Sequence, residues 1–302
     1  MTFTHCIVLQ SPSDPLLPRL VDVLSSLTAP PLRTEVLTVG PLHVAELYVR
    51  LKGGVDPTIS ARIRELSEET GVDIAVVAAG EARCGRKLIV MDCDSTLINA
   101  EVIDELAAHA GRKEEVAAIT DRAMHGELDF AQSLRERVAC LEGIPETVFA
   151  EVASAIQFNP GALDLVARCN ELGWPTAVAS GGFTPVLDRL VARAGITYSH
   201  ANELEVVDGH LTGRVLGEIV DKHVKARFMR ECAAREGLPL ERVIAVGDGA
   251  NDIEMVSGAG LGVAYMAKPT LKEVADTSLN HGRLDGVLAI AGAVARRSTR
   301  TA

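Results

Sequence analysis

The chain has 302 residues, room for one large domain or two of ordinary size around a buried core. Its hydrophobic and charged shares, 47% and 24%, are those of an ordinary globular protein, and no run is long enough to span a bilayer. A formal net charge of -11 excludes a binder built on clustered Lys and Arg, so an anionic substrate must meet locally placed positive charge. The six cysteines, Cys6, Cys84, Cys93, Cys140, Cys169 and Cys232, show no C-x-x-C spacing. That pattern predicts reduced thiols in a cytoplasmic protein. MTFTHCIVLQ at the N-terminus lacks a basic flank and a long apolar stretch, so no signal peptide is expected.

To about Ala79 the pattern predicts strand, helix, strand, strand, helix, strand. HCIVLQ reads as a strand, and PLLPRLVDVLSSLTA has helical spacing of Leu and Val. LRTEVLTV and HVAELYVRL alternate as strands do; ISARIRELSEETG is a helix that Gly71 can end, and VDIAVVAA closes the set. This order resembles the split βαβ arrangement of ferredoxin-like, ACT-type domains, expected over residues 1–80. A spacer or oligomerisation role and an amino-acid-sensing role are both open for it. GEARCGRK, charged and with two glycines, reads as the linker.

From Lys87 strands and helices alternate. KLIVMD, TAVAS, VIAVGD and LGVAYM are short apolar runs, each followed by a loop and a helical segment, which predicts a mostly parallel Rossmann-like sheet over 87–302. EVIDELAAHA, EEVAAITDRAM, LDFAQSLRERVACL and ETVFAEVASAI are amphipathic and predict a helical cap inserted at about 100–158. NELEVVDGHLTGRV carries Asp208-Gly209 between alternating runs and predicts a hairpin. The tail VARRSTRTA is expected to fray.

Polar signals collect where the apolar runs end, which in an open parallel sheet is the ligand edge. Asp92 and Asp94 follow LIVM, Ser180-Gly181-Gly182 follows TAVA, and Asp248, Asn251 and Asp252 follow VIAVG; Lys225 lies just inside the helix after the hairpin. A lone D-x-D more often marks a turn or a cap, but four signals on one edge point to chemistry. Carboxylates converging from two strand ends need a cation, and an oxygen-only ligand set favours Mg²⁺. One of Asp92 and Asp94 can act as nucleophile and the other as acid/base, while Ser180, the glycine amides and Lys225 suit phosphoryl oxygens. The combination fits phosphoryl transfer through an aspartyl-phosphate.

DCDST, SGGF, the Lys225 region and GDGANDIEM resemble the four motifs of the haloacid dehalogenase superfamily of phosphohydrolases. From Lys87 nearly to the C-terminus, including AMHGELDFAQSLRERV and GLGVAYMAKPTLKEVAD, the chain is similar to the superfamily's phosphoserine-hydrolysing branch. The resemblance implies that Asp92 is the phosphorylated nucleophile and Asp94 the general acid/base. It implies Mg²⁺ on Asp92, Asp248 and the main-chain carbonyl of Asp94, with Asp252 close behind. It implies that Ser180, Gly181 and Lys225 hold the phosphoryl group, supported by Gly182, with Asn251 assisting. Glu101 would meet the ammonium of O-phospho-L-serine and Arg137 its carboxylate, and Met124 and Phe130 would cover the site from the cap. Cys93 departs from the aromatic residue often found between the two aspartates.

Bottom-up chemistry supports that substrate: an ammonium, a carboxylate and a phosphate need an acid, a base and a metal-phosphate end. Glu101 also suits a plain helix N-terminus. Helical spacing does not choose between Arg135 and Arg137. His125 and His223 have no metal-type partners in sequence. Gly258-Ala259-Gly260-Leu261-Gly262 misses the dinucleotide pattern, which excludes a nicotinamide site there. Rival readings are a phosphatase for another small ester or a phosphoprotein, and a serine sensor that acts mainly through assembly, for instance as a homodimer.

Overall fold

The computed structural model describes residues 4–11, 20, 24, 33–39, 41–51, 57–79 and 84–293. Four antiparallel strands, β1 (His5–Ser11), β2 (Arg33–Val39), β3 (Leu42–Val49) and β4 (Asp73–Ala78), form the first sheet in the order β2-β3-β1-β4. Strand period sends Ile7 and Leu9 to one face, where they pack with Ile63 and Leu66 of helix α1 (Pro57–Thr70). Cys6 and Val8 point the other way into the larger core, together with Val44, Ala75 and Val77. The helix expected over PLLPRLVDVLSSLTA lies outside the described residues except for Leu20 and Leu24, both buried. The tail VARRSTRTA lies wholly outside them and the linker GEARCGRK partly so.

The second sheet has seven strands in the order β11-β10-β9-β5-β6-β7-β8. They are β5 (Leu88–Met91), β6 (Thr176–Phe183), β7 (Tyr198–Val207), β8 (His210–Leu216), β9 (Val243–Gly247), β10 (Leu261–Tyr265) and β11 (Thr277–Leu279). All neighbours are parallel except β7 and β8. The antiparallel pair is the expected hairpin: Asp208 and Gly209 have φ of 51° and 75°, the positive values a type I′ turn requires. Because both faces of this sheet are covered, β5 is an unbroken apolar run. Ile89 and Met91 face Leu165, Val166, Val186 and Leu187 of α6 (Ala162–Glu171) and α7 (Thr184–Ala194). Leu88 and Val90 face Phe228, Met229 and Cys232 of α8 (Lys222–Arg235).

Four cap helices, α2 (Val102–His109), α3 (Lys113–Met124), α4 (Phe130–Ala139) and α5 (Val148–Ala155), are inserted between β5 and α6. Helix α4 starts with a capping box, Asp129 accepting from the Gln132 amide and Gln132 accepting in return. The chain enters and leaves the cap side by side, where Ile98 and Phe158 form an antiparallel bridge.

The two sheets share a face. Cys6, Val8 and Val77 lie in one apolar cluster with Val287, Leu288 and Ile290 of α11 (Gly286–Ile290). The buried carboxylate of Asp73 accepts from the amides of Asn280 (2.6 Å) and His281 (3.2 Å), and its burial, only partly offset by these donors, raises its pKa. Among the described residues no helix is long and apolar enough to cross a membrane.

Candidate active site

Strand order reverses around β5: the chain runs out through β6, β7 and β8, then returns to lay β9 on the other side of β5. A crevice opens beyond the carboxyl ends of strands at such a point. It is a cleft of about 540 Å³, lined by Asp92, Asp94, Glu101, Met124, Phe130, Arg137, Gly181, Gly182, Asp248 and Asn251, with Asp104 and Lys268.

Asp92 sits one residue past β5 and is 2% exposed. Its Oδ1 accepts from the Cys93 amide at 2.6 Å and lies 2.7 Å from Lys225 Nζ, while Asn251 Nδ2 donates to Oδ2 at 3.3 Å. The same Nζ donates to Asp252 Oδ1 at 2.8 Å. Asp252 Oδ2 also accepts from the amides of Asp248 (3.1 Å) and Gly249 (3.2 Å), which ties the loop after β9 into a turn. Lys225 is therefore a buried cation between two carboxylates. Burial pulls its pKa down, but Asp252 and Asp92 outweigh burial and leave the ammonium above its ordinary value.

One lysine does not neutralise this many acids. Burial, and then repulsion from Asp252, hold Asp92 well above the usual carboxylate range. Asp94 is pushed up to about 7 by burial and by Glu101, although the Val102 amide donates to its Oδ1 at 3.1 Å. Asp248 is raised to about 6 by burial and by Asp252. Carboxylate oxygens of Asp92, Asp248 and Asp252 all lie within 4.8 Å of one another. Three hard oxygen donors with uncompensated charge fit a divalent cation such as Mg²⁺. Asp252 stands nearer to this cluster than its expected place behind the ligands.

The Ser180–Gly182 loop is built at the end of β6. Ser180 is 1% exposed and its Oγ accepts from the Gly182 amide at 2.9 Å. A Cβ on Gly182 would come within 3.0 Å of Ser180 Oγ and 3.2 Å of Asp94 Oδ2, so a larger residue would press on both side chains. The cap closes over this loop: Phe130 Cζ would touch a Cβ on Gly181 at 3.4 Å. Met124 also lines the cleft and is 80% exposed.

Glu101 occupies the N-cap position of α2 but makes no capping bond; its Oε1 accepts from Ser95 Oγ at 2.8 Å. Arg137 lines the cleft and Arg135 does not. Burial lowers the Arg137 pKa while the charges of Asp104, Glu101 and Asp94 support it. His125 is exposed and within hydrogen-bond distance of the Asp121 carbonyl, and His223 pairs with Glu254 at 2.7 Å; neither lines the cleft. Asp104 and Lys268 also line the cleft, and neither was singled out in the sequence; Asn202 stands beneath it. Asn202, 1% exposed, donates to the carbonyls of Gly181 (2.9 Å) and Gly182 (3.3 Å) and accepts from the Val220 amide. Its only signal in the sequence is a polar residue inside a half-buried strand.

The haloacid dehalogenase-like hydrolase family model matches residues 89–257, the span that carries this cleft. The chain belongs to that family. It is 53% identical over 222 residues to the phosphoserine phosphatase of Streptomyces coelicolor, covering 74% of this chain and 54% of that one. It is 50% identical to the phosphoserine phosphatase of Streptococcus thermophilus, covering 67% of this chain and 94% of the relative. A crystal structure of a probable phosphoserine phosphatase from Vibrio cholerae, in unliganded form, superposes with a TM-score of 0.78 at 37% identity, over 95% of this chain and 86% of that one. The chain spans about half the length of the Streptomyces relative.

Proposed function

We propose that this chain hydrolyses O-phospho-L-serine to L-serine and phosphate, the last step of serine biosynthesis, with Mg²⁺ and through an aspartyl-phosphate. The observation that carries the reading is one cleft lined by Asp92, Asp94, Glu101 and Arg137, with the buried ammonium of Lys225 2.7 Å from Asp92. The phosphoserine phosphatases named above, similar to most of the chain, support the same substrate.

An Asp92 carboxylate oxygen attacks phosphorus in line with the departing serine oxygen. Asp94, with its pKa near 7, protonates that oxygen and then takes a proton from the water that attacks phosphorus. Phosphate leaves and the Asp92 carboxylate is restored. Lys225, Ser180 and the Gly181 amide receive the phosphoryl oxygens, with Gly182 giving close backbone approach. Asn251 steadies Asp92 by the hydrogen bond to Oδ2. Asp92, Asp248 and the Asp94 carbonyl, with Asp252 adjoining, would hold Mg²⁺, which would supply positive charge to the transferring group. Glu101 pairs with the substrate ammonium and Arg137 with its carboxylate, while Met124 and Phe130 exclude water from the cap side.

The division into an ACT-like unit at 1–80 and a phosphatase unit at 87–302 in a cytoplasmic protein is part of the same proposal. Serine binding to an isolated 1–80 fragment, measured by calorimetry, separates a sensing role for the first unit from a homodimer contact or spacer.

The test is phosphate release from a panel of small phosphate esters, with Mg²⁺ and after EDTA. Strong preference for O-phospho-L-serine, lost with EDTA, is the expected result. Metal-dependent release without that preference removes Glu101 and Arg137 from the substrate site.

A further inference from the structure

The loop that carries the catalytic aspartates is held by an asparagine from the opposite side of the cap. Asp94 and Ser95 have non-helical backbone, and Ile98 N reaches back to Cys93 O, so the carbonyls between them lack helical partners. Asn159 supplies them. Its Nδ2 donates to Ser95 O (3.2 Å), Thr96 O (2.8 Å) and Ile98 O (3.1 Å), and its backbone N donates to Leu97 O (3.0 Å). Three acceptors around one atom identify it as the amide nitrogen, because an oxygen there would face only acceptors. Asn159 lies in the segment by which the chain leaves the cap, next to the Ile98–Phe158 bridge and the Asn99 N to Gln157 O bond.

What Asn159 holds is an uncommon backbone. Ser95 has φ of 57°, the left-handed region that favours glycine. A serine there needs a reason, and its hydroxyl provides one: Ser95 Oγ donates to Glu101 Oε1 at 2.8 Å while Ser95 N closes the loop onto Ala100 O. The contact orients the Glu101 side chain, which lines the cleft and caps no helix amide itself. We propose that Asn159 and Ser95 are positioning residues that tie the cap's exit segment to the orientation of Glu101, and so set selectivity for substrates bearing an ammonium. The selectivity part rests on the phosphoserine reading; the positioning part does not.

The experiment compares wild type, Ser95→Gly and Asn159→Ala on O-phospho-L-serine and on phosphoglycolate, which keeps phosphate and carboxylate but has no ammonium. Glycine accepts the left-handed backbone and removes the hydroxymethyl side chain, and with it the bond to Glu101. Losing one hydrogen bond to a charged group should raise KM for phosphoserine roughly tenfold in Ser95→Gly, with kcat changed less than about twofold and KM for phosphoglycolate unmoved. Thermal stability of Ser95→Gly should equal or exceed wild type, because the left-handed strain is relieved. Asn159→Ala should move KM the same way with a lower Tm. A KM change shared by both substrates, or absent from both, overturns the selectivity claim. Wild type without preference for phosphoserine overturns the functional reading instead. A crystal structure of Ser95→Gly then decides the positioning by itself, and Glu101 found in its wild-type place refutes it.

Discussion

Replacing Lys225 with methionine removes the cation between Asp92 and Asp252 and keeps most of the side chain's bulk. Nζ lies 2.7 Å and 2.8 Å from the two carboxylates, and the three side chains are 0%, 3% and 0% exposed, so water cannot take over its role. Removing one partner of a buried ionic network costs about 3–5 kcal/mol, against total stabilities of roughly 5–15 kcal/mol. In a domain of this size that lowers Tm by about 6–20 °C. The sign with pH follows from the groups left behind. Without Lys225 the Asp92 carboxylate, already held above its usual range, is pushed further up, so the variant binds more protons folded than unfolded, and its stability falls as pH rises. The deficit against wild type should therefore be large at pH 7 and shrink towards pH 4. The assay is urea unfolding of both proteins in EDTA, so that no divalent ion replaces the lysine, with phosphate release measured in parallel. A deficit under about 1 kcal/mol at pH 7, or one that does not change with pH, refutes the buried-triad account.

Asp94 and Asp248 have pKa values raised to about 7 and about 6, so their burial as anions costs stability that appears as pH rises from the unfolded carboxylate range through those values. In EDTA, Asp94→Asn and Asp248→Asn should each exceed wild type in stability at pH 7 by about 1 kcal/mol or more, with little difference at pH 4, as read by thermal melts. Asp92→Asn should fold with a Tm at or above wild type yet lose turnover by roughly four or more orders of magnitude. Appreciable phosphate release from that variant would exclude Asp92 as the nucleophile. Arg137→Ala should raise KM for phosphoserine roughly 10²-fold, as for a lost bidentate carboxylate pair, and leave KM for phosphoethanolamine near wild type.

The parts of the site legible in sequence are those where a residue conflicts with its local setting. Asp92 ends a run whose four residues are all buried, and Asp208-Gly209 breaks two alternating strands; each is costly unless a site or a turn explains it. Helices α2 to α5 were legible because amphipathic spacing is local. Asn159 and Asn202 were not, because each serves backbone groups brought near only by folding, and a single amide has no period; Ser95 lies inside DCDST, but its bond to the Glu101 side chain exists only in the folded chain. Arg135 and Arg137 share a helix and a charge, so the packing of α4 against the cleft decides which one lines it. Lys268 was hidden for a similar reason: its amide bonds Asp248 O at 2.9 Å from the loop after β10, a strand distant in sequence from motif Asp92.

Why the cleft tolerates so many acids follows from where each carboxylate's hydrogen bonds go. Asp252 has a lysine and two amides, so it is satisfied within the protein and fixes the turn after β9. Asp92 shares that lysine and has one amide and one asparagine, and Asp94 has a single amide. Asp252 and Asp92 thus have three donors each and Asp94 one. Asp92 and Asp94, both with raised pKa values, line the cleft, where a bound cation would offset their charge. A site arranged this way folds under repulsion that its ligands relieve. Ligand binding and fold stability are then coupled through the same oxygens.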